Sequence, residues 1–264
     1  MGNITHAYLL AGPKHLGKMA IAHWFARELL LRDLETEEEK EEAGKRIERL
    51  THADLFVLDQ LWIEDVCDDW NVIARTSNVP QEHRSKKPAA KTDTIGIDDV
   101  RALQERLHET GLGTYRFCII RSMERMQEAA ANAFLKILEE PPAGLVFLLT
   151  TQSASRLLPT IVSRARILNV RRLSNVELLP VLEGVSEEDT EFMLRIARGA
   201  PGVILRLKDD PDLLREHKLI HSKAHSFWRA SSLIDRLQLL TPLQKRGEES
   251  ERFLLHLALA ARVE

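Results

Sequence analysis

The sequence has little cysteine, no long apolar run and no large excess of one charge. Its 264 residues include two cysteines, Cys67 and Cys118, which are too far apart for metal-ligand spacing or a disulfide framework. The formal net charge is -3, so we expect any DNA role to operate within a larger assembly. The absence of a membrane-length segment and of a basic signal-peptide start predicts a cytoplasmic protein without membrane contact.

Short apolar segments alternate with amphipathic segments up to about residue 172. The predicted strands are "HAYLLAG", "ADLFVLD", "YRFCIIR", "LVFLLTT" and "RILNV". Helical spacing lies between them, as in "QEAAANAFLKILEEPP", which Pro141 and Pro142 end. This alternation indicates an α/β fold with a parallel sheet covered on both faces. Only helical patterns follow Arg172, so we predict a boundary near residue 172 and another near residue 208.

Two segments and two tryptophans have no assigned chemistry. The run "ETEEEKEEAGKRIERL" is typical of a solvated helix or linker. The aperiodic stretch at residues 75–94 predicts an exposed loop, with phosphate or DNA contact by its lysines as the less favoured alternative. Trp24 and Trp62 are interpreted as core residues, and Trp24 is placed on one helix side with Ile21 and Phe25.

The stretch "LLAGPKHLGKMAIA" contains the outline of a phosphate-binding loop. Gly12, Gly17 and Lys18 fit G-x-x-x-x-G-K between a predicted strand and a predicted helix. The next residue is normally Ser or Thr, whose hydroxyl holds Mg²⁺, and here it is Met19. Two interpretations stay open at this point: a helix N-terminus that holds an anion, or glycines that only shape the strand-to-helix turn.

A longer stretch, "AANAFLKILEEPPAGLVFLLTTQSASRLLPTIVSRARILNV", resembles the bacterial DNA polymerase III clamp-loader AAA+ subunits. Their pattern runs N-A-L-L-K-x-L-E-E-P-P, then an apolar strand ending in A-T or T-T, then L-x-x-T-I-x-S-R-C. The match covers Asn132 to Val170 without a gap, and the wider resemblance runs from Thr5 to Lys208. Within this family the "ARGAPGVIL" segment is most similar to delta-prime subunits.

The resemblance implies an AAA+ P-loop α/β domain over residues 1–172 and a small helical lid over residues 173–208. The helical segment at residues 209–264 then corresponds to an incomplete collar domain, either truncated or divergent.

The same resemblance implies a degenerate nucleotide site. The hydrolysing subunits of the family carry Asp-Glu at the end of the third strand, where this sequence has Arg121 and Ser122. Gly202 stands where those subunits have a lid arginine, and their adenine-binding segment before the first strand is expected to be missing. Glu124 lies nearby in the following loop or helix. We therefore expect no ATP hydrolysis, no metal and no cofactor, with phosphate or weak nucleotide binding at the loop.

In "TIVSRAR", Arg164 matches the family's Ser-Arg-Cys arginine, although Ala165 replaces the cysteine. That arginine acts in trans, as an arginine finger on ATP bound by the neighbouring subunit; Arg166 is the competing candidate. The implied function is a non-hydrolysing arm of the ring that loads the sliding clamp on primed DNA. The implied partners are gamma/tau-type and delta-type subunits, with DNA and the clamp met through the assembly. The alternatives are an active gamma/tau-type ATPase and an orphan AAA+ scaffold.

Overall fold

The computed structural model describes most of the chain as two compact units, Met1–Arg171 and Arg172–Glu264. The described residues are 4–59, 63, 69–77, 79, 94–107, 113–244 and 247–261, without the side chains of Arg75, Gln244 and Glu248. The predictions for Cys67 and Trp62, and residues 78 and 80–93 of the predicted 75–94 loop, lie outside these residues. The prediction of an exposed loop is wrong at its start, because the helix Trp70–Thr76 reaches into it and Ser77 and Val79 are buried. The assignment of lid and collar segments within the second unit stays a prediction.

The first unit contains a five-stranded sheet in which all neighbours are parallel. Its strands are β1 (Ala7–Ala11), β2 (Leu55–Leu58), β3 (Arg116–Ile120), β4 (Leu145–Thr151) and β5 (Arg166–Asn169). Their order is β2-β3-β4-β1-β5, and Leu9 of β1 lies opposite Leu149 on one side and Ile167 on the other. The predicted parallel sheet is confirmed.

Alternate strand residues point to opposite faces of the sheet, and helices cover both faces at β1 to β4. The prediction that the sheet is covered on both faces is wrong at β5, whose four residues are all exposed. Leu9 and Phe147 belong to one buried cluster, whereas Leu10 and Leu148 belong to the other. The helices of this unit are α1 (Lys18–Arg32), α2 (Glu37–Glu48), α3 (Trp70–Thr76), α4 (Ile97–Leu107), α5 (Glu128–Glu139) and α6 (Pro159–Val162), with 3-10 turns at Met123–Arg125 and Ala154–Arg156.

The prediction that Trp24 is a core residue is wrong, because 60% of its surface is exposed. The buried positions of α1 are Ala22 and Ala26, with Phe25 half-buried beside them. At 100° per residue, Trp24 lies about 200° from both alanines and therefore on the outer side of the helix. Ala22 and Ala26 are thus the residues that face the sheet, in the buried cluster that contains Leu10 and Leu148.

The charged run "ETEEEKEEAGKRIERL" forms helix α2 and not a linker, so the prediction of a helix is confirmed. Its N-terminus has a capping box in which the Glu39 backbone N–H donates to Thr36 Oγ1 at 3.2 Å. The Thr36 backbone N–H donates in return to Glu39 Oε2 at 3.1 Å. Gly44 and Ile47 are the buried residues of α2, and most of its other residues are charged.

Two Gly→Ala substitutions in the first unit are expected to change stability in opposite directions. Gly144 has φ +76°, and a Cβ there would lie 2.5 Å from the Thr114 carbonyl oxygen. Gly144→Ala should therefore lower the free energy of unfolding by about 2–3 kcal/mol. Gly44 lies inside α2, where a Cβ would meet only the Arg27 side chain at 3.4 Å. Gly44→Ala should raise the free energy of unfolding by up to about 1 kcal/mol.

Urea denaturation followed by circular dichroism measures both changes. A destabilised Gly44→Ala protein, or a Gly144→Ala protein as stable as the parent, would contradict the described backbone.

The second unit is helical, as predicted. Its helices are α7 (Asn175–Leu178), α8 (Glu187–Ala197), α9 (Pro201–Asp209), α10 (Pro211–Arg229), α11 (Leu233–Leu239) and α12 (Glu248–Ala260), with 3-10 turns at Leu179–Leu182 and Thr241–Gln244. Leu259 of α12 joins the buried cluster that contains Ile196 and Ile204, while Phe253 packs in a second cluster with Ala224. Helix α12 thus contributes to both apolar clusters.

Four histidines join α10 and α12 in one hydrogen-bonded chain. His217 Nδ1 lies 2.9 Å from His256 Nε2, and His256 Nδ1 lies 3.3 Å from His221 Nδ1. His221 Nε2 lies 3.2 Å from His225 Nε2. Burial lowers the pKa values of His217 and His221, and it lowers that of His256 to about 3 with help from its two histidine neighbours. The charged groups that also act on His217 and His221 are Arg195, Arg206, Glu216 and Arg252.

Acidification should therefore loosen the second unit. The pKa of His256 in the unfolded chain is near 6.5, so its stabilising effect is complete above that pH and is lost as the pH falls toward about 3. Between pH 7 and pH 5 we expect a loss of about 1–2 kcal/mol from this histidine. Hydrogen exchange of the α10 and α12 amides, corrected for intrinsic rates, measures the change.

The variant His256→Gln should flatten this pH dependence, whatever it does to stability at pH 7. The variant His6→Gln, in the first unit, should keep the parental slope. Amide protection that stays constant from pH 7 to pH 5 in the parent protein would refute the prediction.

Candidate functional site

The carboxyl ends of the parallel strands meet at one edge of the sheet and bring separate segments together. The Gly12–Lys18 loop follows β1, Asp59 follows β2, and Arg121 follows β3. Gln152 follows β4 at the same edge. In open α/β sheets this edge is where ligands bind, so it is the candidate site.

The glycines of the loop are required by its backbone. The Gly12 N–H donates to the Thr151 carbonyl at 3.1 Å, and a Cβ on Gly12 would lie 2.3 Å from the Val170 carbonyl oxygen. Gly17 is the N-cap of α1 with φ +78°, a left-handed conformation that favours glycine. These contacts support the interpretation that the glycines shape the strand-to-helix turn.

The two residues after Gly17 face different surroundings. Lys18 Nζ donates to the carbonyl oxygens of Gly12 at 2.7 Å and of Pro13 at 2.6 Å. Burial lowers the pKa of Lys18, and the carboxylate of Glu124 opposes that shift. Met19 packs against the apolar cluster beneath the sheet. The position that would hold Mg²⁺ in a complete phosphate loop therefore lies against the core.

A buried carboxylate bound by two arginines lies at the ends of β2 and β3. Asp59 Oδ2 accepts hydrogen bonds from Arg125 Nη1 at 2.7 Å and from Arg121 Nη1 at 3.3 Å. The Asp59 side chain is fully buried, while that of Arg121 is 39% exposed and that of Arg125 is 15% exposed. Arg121 thus stands where the hydrolysing subunits have a metal-side carboxylate. Its guanidinium pairs with Asp59, which follows the neighbouring strand β2.

The turn after Arg121 directs Glu124 toward the loop. Ser122 is left-handed at φ 56°, and its backbone N–H donates to Thr150 Oγ1 at 2.9 Å. Glu124, in the following 3-10 turn, accepts a hydrogen bond from the Gln152 N–H at 3.3 Å. Its other oxygen, Oε2, is buried without a hydrogen-bond partner among the described residues. Together with its electrostatic effect on Lys18, this makes Glu124 part of the candidate site.

Arg164 forms hydrogen bonds with residues that do not belong to the candidate site at the carboxyl edge of the sheet. Its Nη2 donates to Glu139 Oε1 at 2.6 Å, and its Nη1 donates to the Thr160 carbonyl at 3.0 Å. The side chain is 35% exposed. Arg166 lies on the exposed edge strand β5. Gly202 is the second residue of α9 in the other unit.

No group of three or more His, Cys, Asp or Glu side chains in the described part of the chain could hold a metal ion. No described helix combines the length and apolar character needed to cross a membrane.

A family model described as "DNA polymerase III, delta subunit" matches residues 1–174, more than half of the chain. The chain belongs to this family. The matched residues contain the whole sheet, the loop, Arg121 and Arg164.

The curated relatives of this delta-family chain include delta-prime subunits. The DNA polymerase III subunit delta' of Pseudomonas aeruginosa is 37% identical over 163 residues, which are 61% of this chain and 41% of that protein. The delta' subunit of Escherichia coli is 32% identical over 143 residues, 53% of this chain and 43% of that protein. The matches thus span about two fifths of these relatives, and the resemblance to delta-prime subunits is confirmed.

A gamma/tau subunit is also similar, at lower identity. That of Mycobacterium bovis is 28% identical over 217 residues, which are 79% of this chain and 33% of that protein. A DNA polymerase III gamma subunit-related protein of Thermotoga maritima superposes with a TM-score of 0.50 at 20% identity, covering 98% of this chain and 73% of that one. A variant of Thermotoga maritima RuvB gives 0.53 at 15% identity, covering 97% and 80%. These structures confirm the predicted AAA+ fold.

The two arginines on Asp59 should differ in their contribution to stability. Arg125 is more buried and makes the shorter contact, so Arg125→Gln should lower the free energy of unfolding by about 1–3 kcal/mol. Arg121 is more exposed and its contact is longer, so Arg121→Gln should cost less than about 1 kcal/mol. Chemical denaturation compares the two variants; a larger loss for Arg121→Gln would contradict the geometry.

Proposed function

We propose that this chain is a delta-prime-like arm of a clamp loader that does not hydrolyse ATP itself. The observation that carries the proposal is the pairing of Arg121 with Asp59 at the end of β3. Phosphoryl transfer in P-loop proteins needs Mg²⁺ and a group that orients the attacking water. A guanidinium at this position repels the metal, and Asp59 is already neutralised by two arginines.

The loop supports the same proposal. Met19 supplies no hydroxyl for a metal, and Lys18 bonds to loop carbonyls through its ammonium group. The N–H groups at the start of α1 still suit phosphate or weakly bound nucleotide. We infer that the chain needs neither a resident cofactor nor a metal, and that the functional ATP is bound by neighbouring subunits.

Arg164 is the residue proposed to act on that ATP. A guanidinium is planar and permanently charged, so it can neutralise charge that develops on a transferred phosphoryl group. The Arg164 side chain is partly exposed, as a residue that acts in trans requires. The proposed partners are gamma/tau-type and delta-type subunits, with primer-template DNA and the sliding clamp met through the assembly.

One observation favours a second candidate function, an ATPase activity of the chain itself. Glu124 lies close enough to Lys18 to oppose the lowering of its pKa, and Glu124 Oε2 has no hydrogen-bond partner among the described side chains and backbone groups. A carboxylate in this position could orient water for attack on a γ-phosphate. The missing metal ligand and the cation at Arg121 weigh against this candidate.

Steady-state phosphate release separates the two candidates. With Mg²⁺ and ATP, the parent protein should release phosphate no faster than Lys18→Ala or Glu124→Gln, because Met19 supplies no hydroxyl for the metal and Arg121 stands in place of a metal-side carboxylate. A clear rate that both substitutions abolish would establish the chain as an ATPase with Glu124 as its water-orienting group.

Arg164→Ala should leave the chain folded and reduce the DNA- and clamp-stimulated ATPase of the reconstituted complex. Arginine fingers contribute about 10³–10⁵ in rate at their own site. Because one of several sites is affected, the total ATPase should fall partially and clamp loading should fall further. Arg164→Lys should rescue poorly, since an ammonium cannot reproduce the guanidinium geometry.

The matched control for this experiment is Arg166→Ala, two residues away on β5. It should retain most of the activity. Normal clamp loading by Arg164→Ala, together with a defect in Arg166→Ala, would show that the arginine finger is Arg166 and not Arg164.

A further inference from the structure

We propose that Glu139 is a positioning residue that holds Arg164 in the orientation it needs to act in trans. The inference rests on the proposed function of Arg164 and adds a second residue to it. Glu139 does not touch ATP in this proposal; it acts only through the guanidinium.

Two acceptors from different segments fix the plane of the Arg164 guanidinium. Nη2 donates to Glu139 Oε1 at 2.6 Å, and Nη1 donates to the Thr160 carbonyl at 3.0 Å. A guanidinium has five N–H donors, so donors remain for a phosphate after these two contacts are made. Holding both terminal nitrogens removes rotation about the side chain's last bonds, which would otherwise have to be ordered when ATP is engaged.

Both acceptors are attached to rigid parts of the fold. Glu139 is the last residue of α5 and follows Leu138, which is 1% exposed. Thr160 lies in α6 next to Ile161, which is 2% exposed. Leu138 and Ile161 belong to the same buried cluster. The core therefore fixes the backbone positions from which the Glu139 side chain and the Thr160 carbonyl reach Arg164.

The charge of Glu139 is unfavourable for its own helix. The last turn of a helix carries a partial negative charge, so a carboxylate there is repelled unless a cation lies nearby. The guanidinium of Arg164 is that cation, 2.6 Å away. The carboxylate of Glu139 therefore does not stabilise α5, but it does hold the guanidinium of Arg164.

Positioning and sequestration predict opposite effects of removing Glu139. If the carboxylate positions Arg164, loss of the acceptor slows the reaction in trans. If it instead withholds Arg164 from phosphate, loss of the acceptor accelerates that reaction. Glu139→Gln keeps a hydrogen-bonding oxygen without the charge, so it separates geometry from charge. Glu140→Ala is the matched control, since Glu140 is the exposed neighbouring acid.

The first measurement uses the isolated protein and ¹⁵N NMR of the arginine side chains. In the parent protein the Nη groups of Arg164 should give separate signals, because rotation about the guanidinium bonds is slow. These signals should merge in Glu139→Ala, persist at least in part in Glu139→Gln, and stay parental in Glu140→Ala. Merged signals already in the parent protein would overturn the proposal.

The second measurement uses the reconstituted complex. Glu139→Ala should lower kcat of the stimulated ATPase several-fold with little change in KM for ATP, while Glu139→Gln retains most of the rate. Combining Glu139→Ala with Arg164→Ala should reduce kcat no further than Arg164→Ala alone. A parental or raised kcat in Glu139→Ala, when Arg164→Ala is impaired, overturns the positioning role alone. A parental rate in Arg164→Ala overturns the proposed function and the positioning role together.

Discussion

Parallel pairing of five strands, with apolar residues on both faces, is the constraint on which the first unit depends. The backbone groups of β1, β3 and β4 are paired on both sides, and each of these three strands sends alternate residues into two separate cores. Parallel neighbours need crossover connections, so helices must cover both faces and all carboxyl ends must meet at one edge. The loop after β1, Asp59 and Arg121 are brought together by this topology.

The buried acid at the ends of β2 and β3 is compensated within the chain. Asp59 is neutralised by Arg121 and Arg125, and Lys18 bonds to loop carbonyls near the carboxylate of Glu124. A hydrolysing site needs uncompensated carboxylates for a metal and a water molecule. The same edge therefore contains an ion-paired acid at Asp59 and one buried carboxylate oxygen, Glu124 Oε2, without a hydrogen-bond partner among the described residues.

The arginine proposed to act on ATP lies elsewhere on the first unit, at the end of α6. Its guanidinium is held by Glu139 and the Thr160 carbonyl, whose neighbours in sequence are buried in one core. The chain thus combines a buried, ion-paired carboxylate at the carboxyl edge of the sheet with a hydrogen-bonded, partly exposed guanidinium. This combination suits a subunit that assists hydrolysis at a neighbouring site, as we propose for this member of the delta subunit family.

The alternation of strands and helices, the parallel sheet and the cation at the end of β3 could be predicted from the sequence, since they depend on local periodicity and on one position in a motif. The sequence could not determine which side of α1 faces the sheet, because apolar spacing placed Trp24 in a stripe without showing that Ala22 and Ala26 lie closer to the core. The contacts of Asp59 with Arg121 and Arg125 cross 62 and 66 residues of chain. Only the tertiary structure decided them, because strand order sets which distant side chains share an edge.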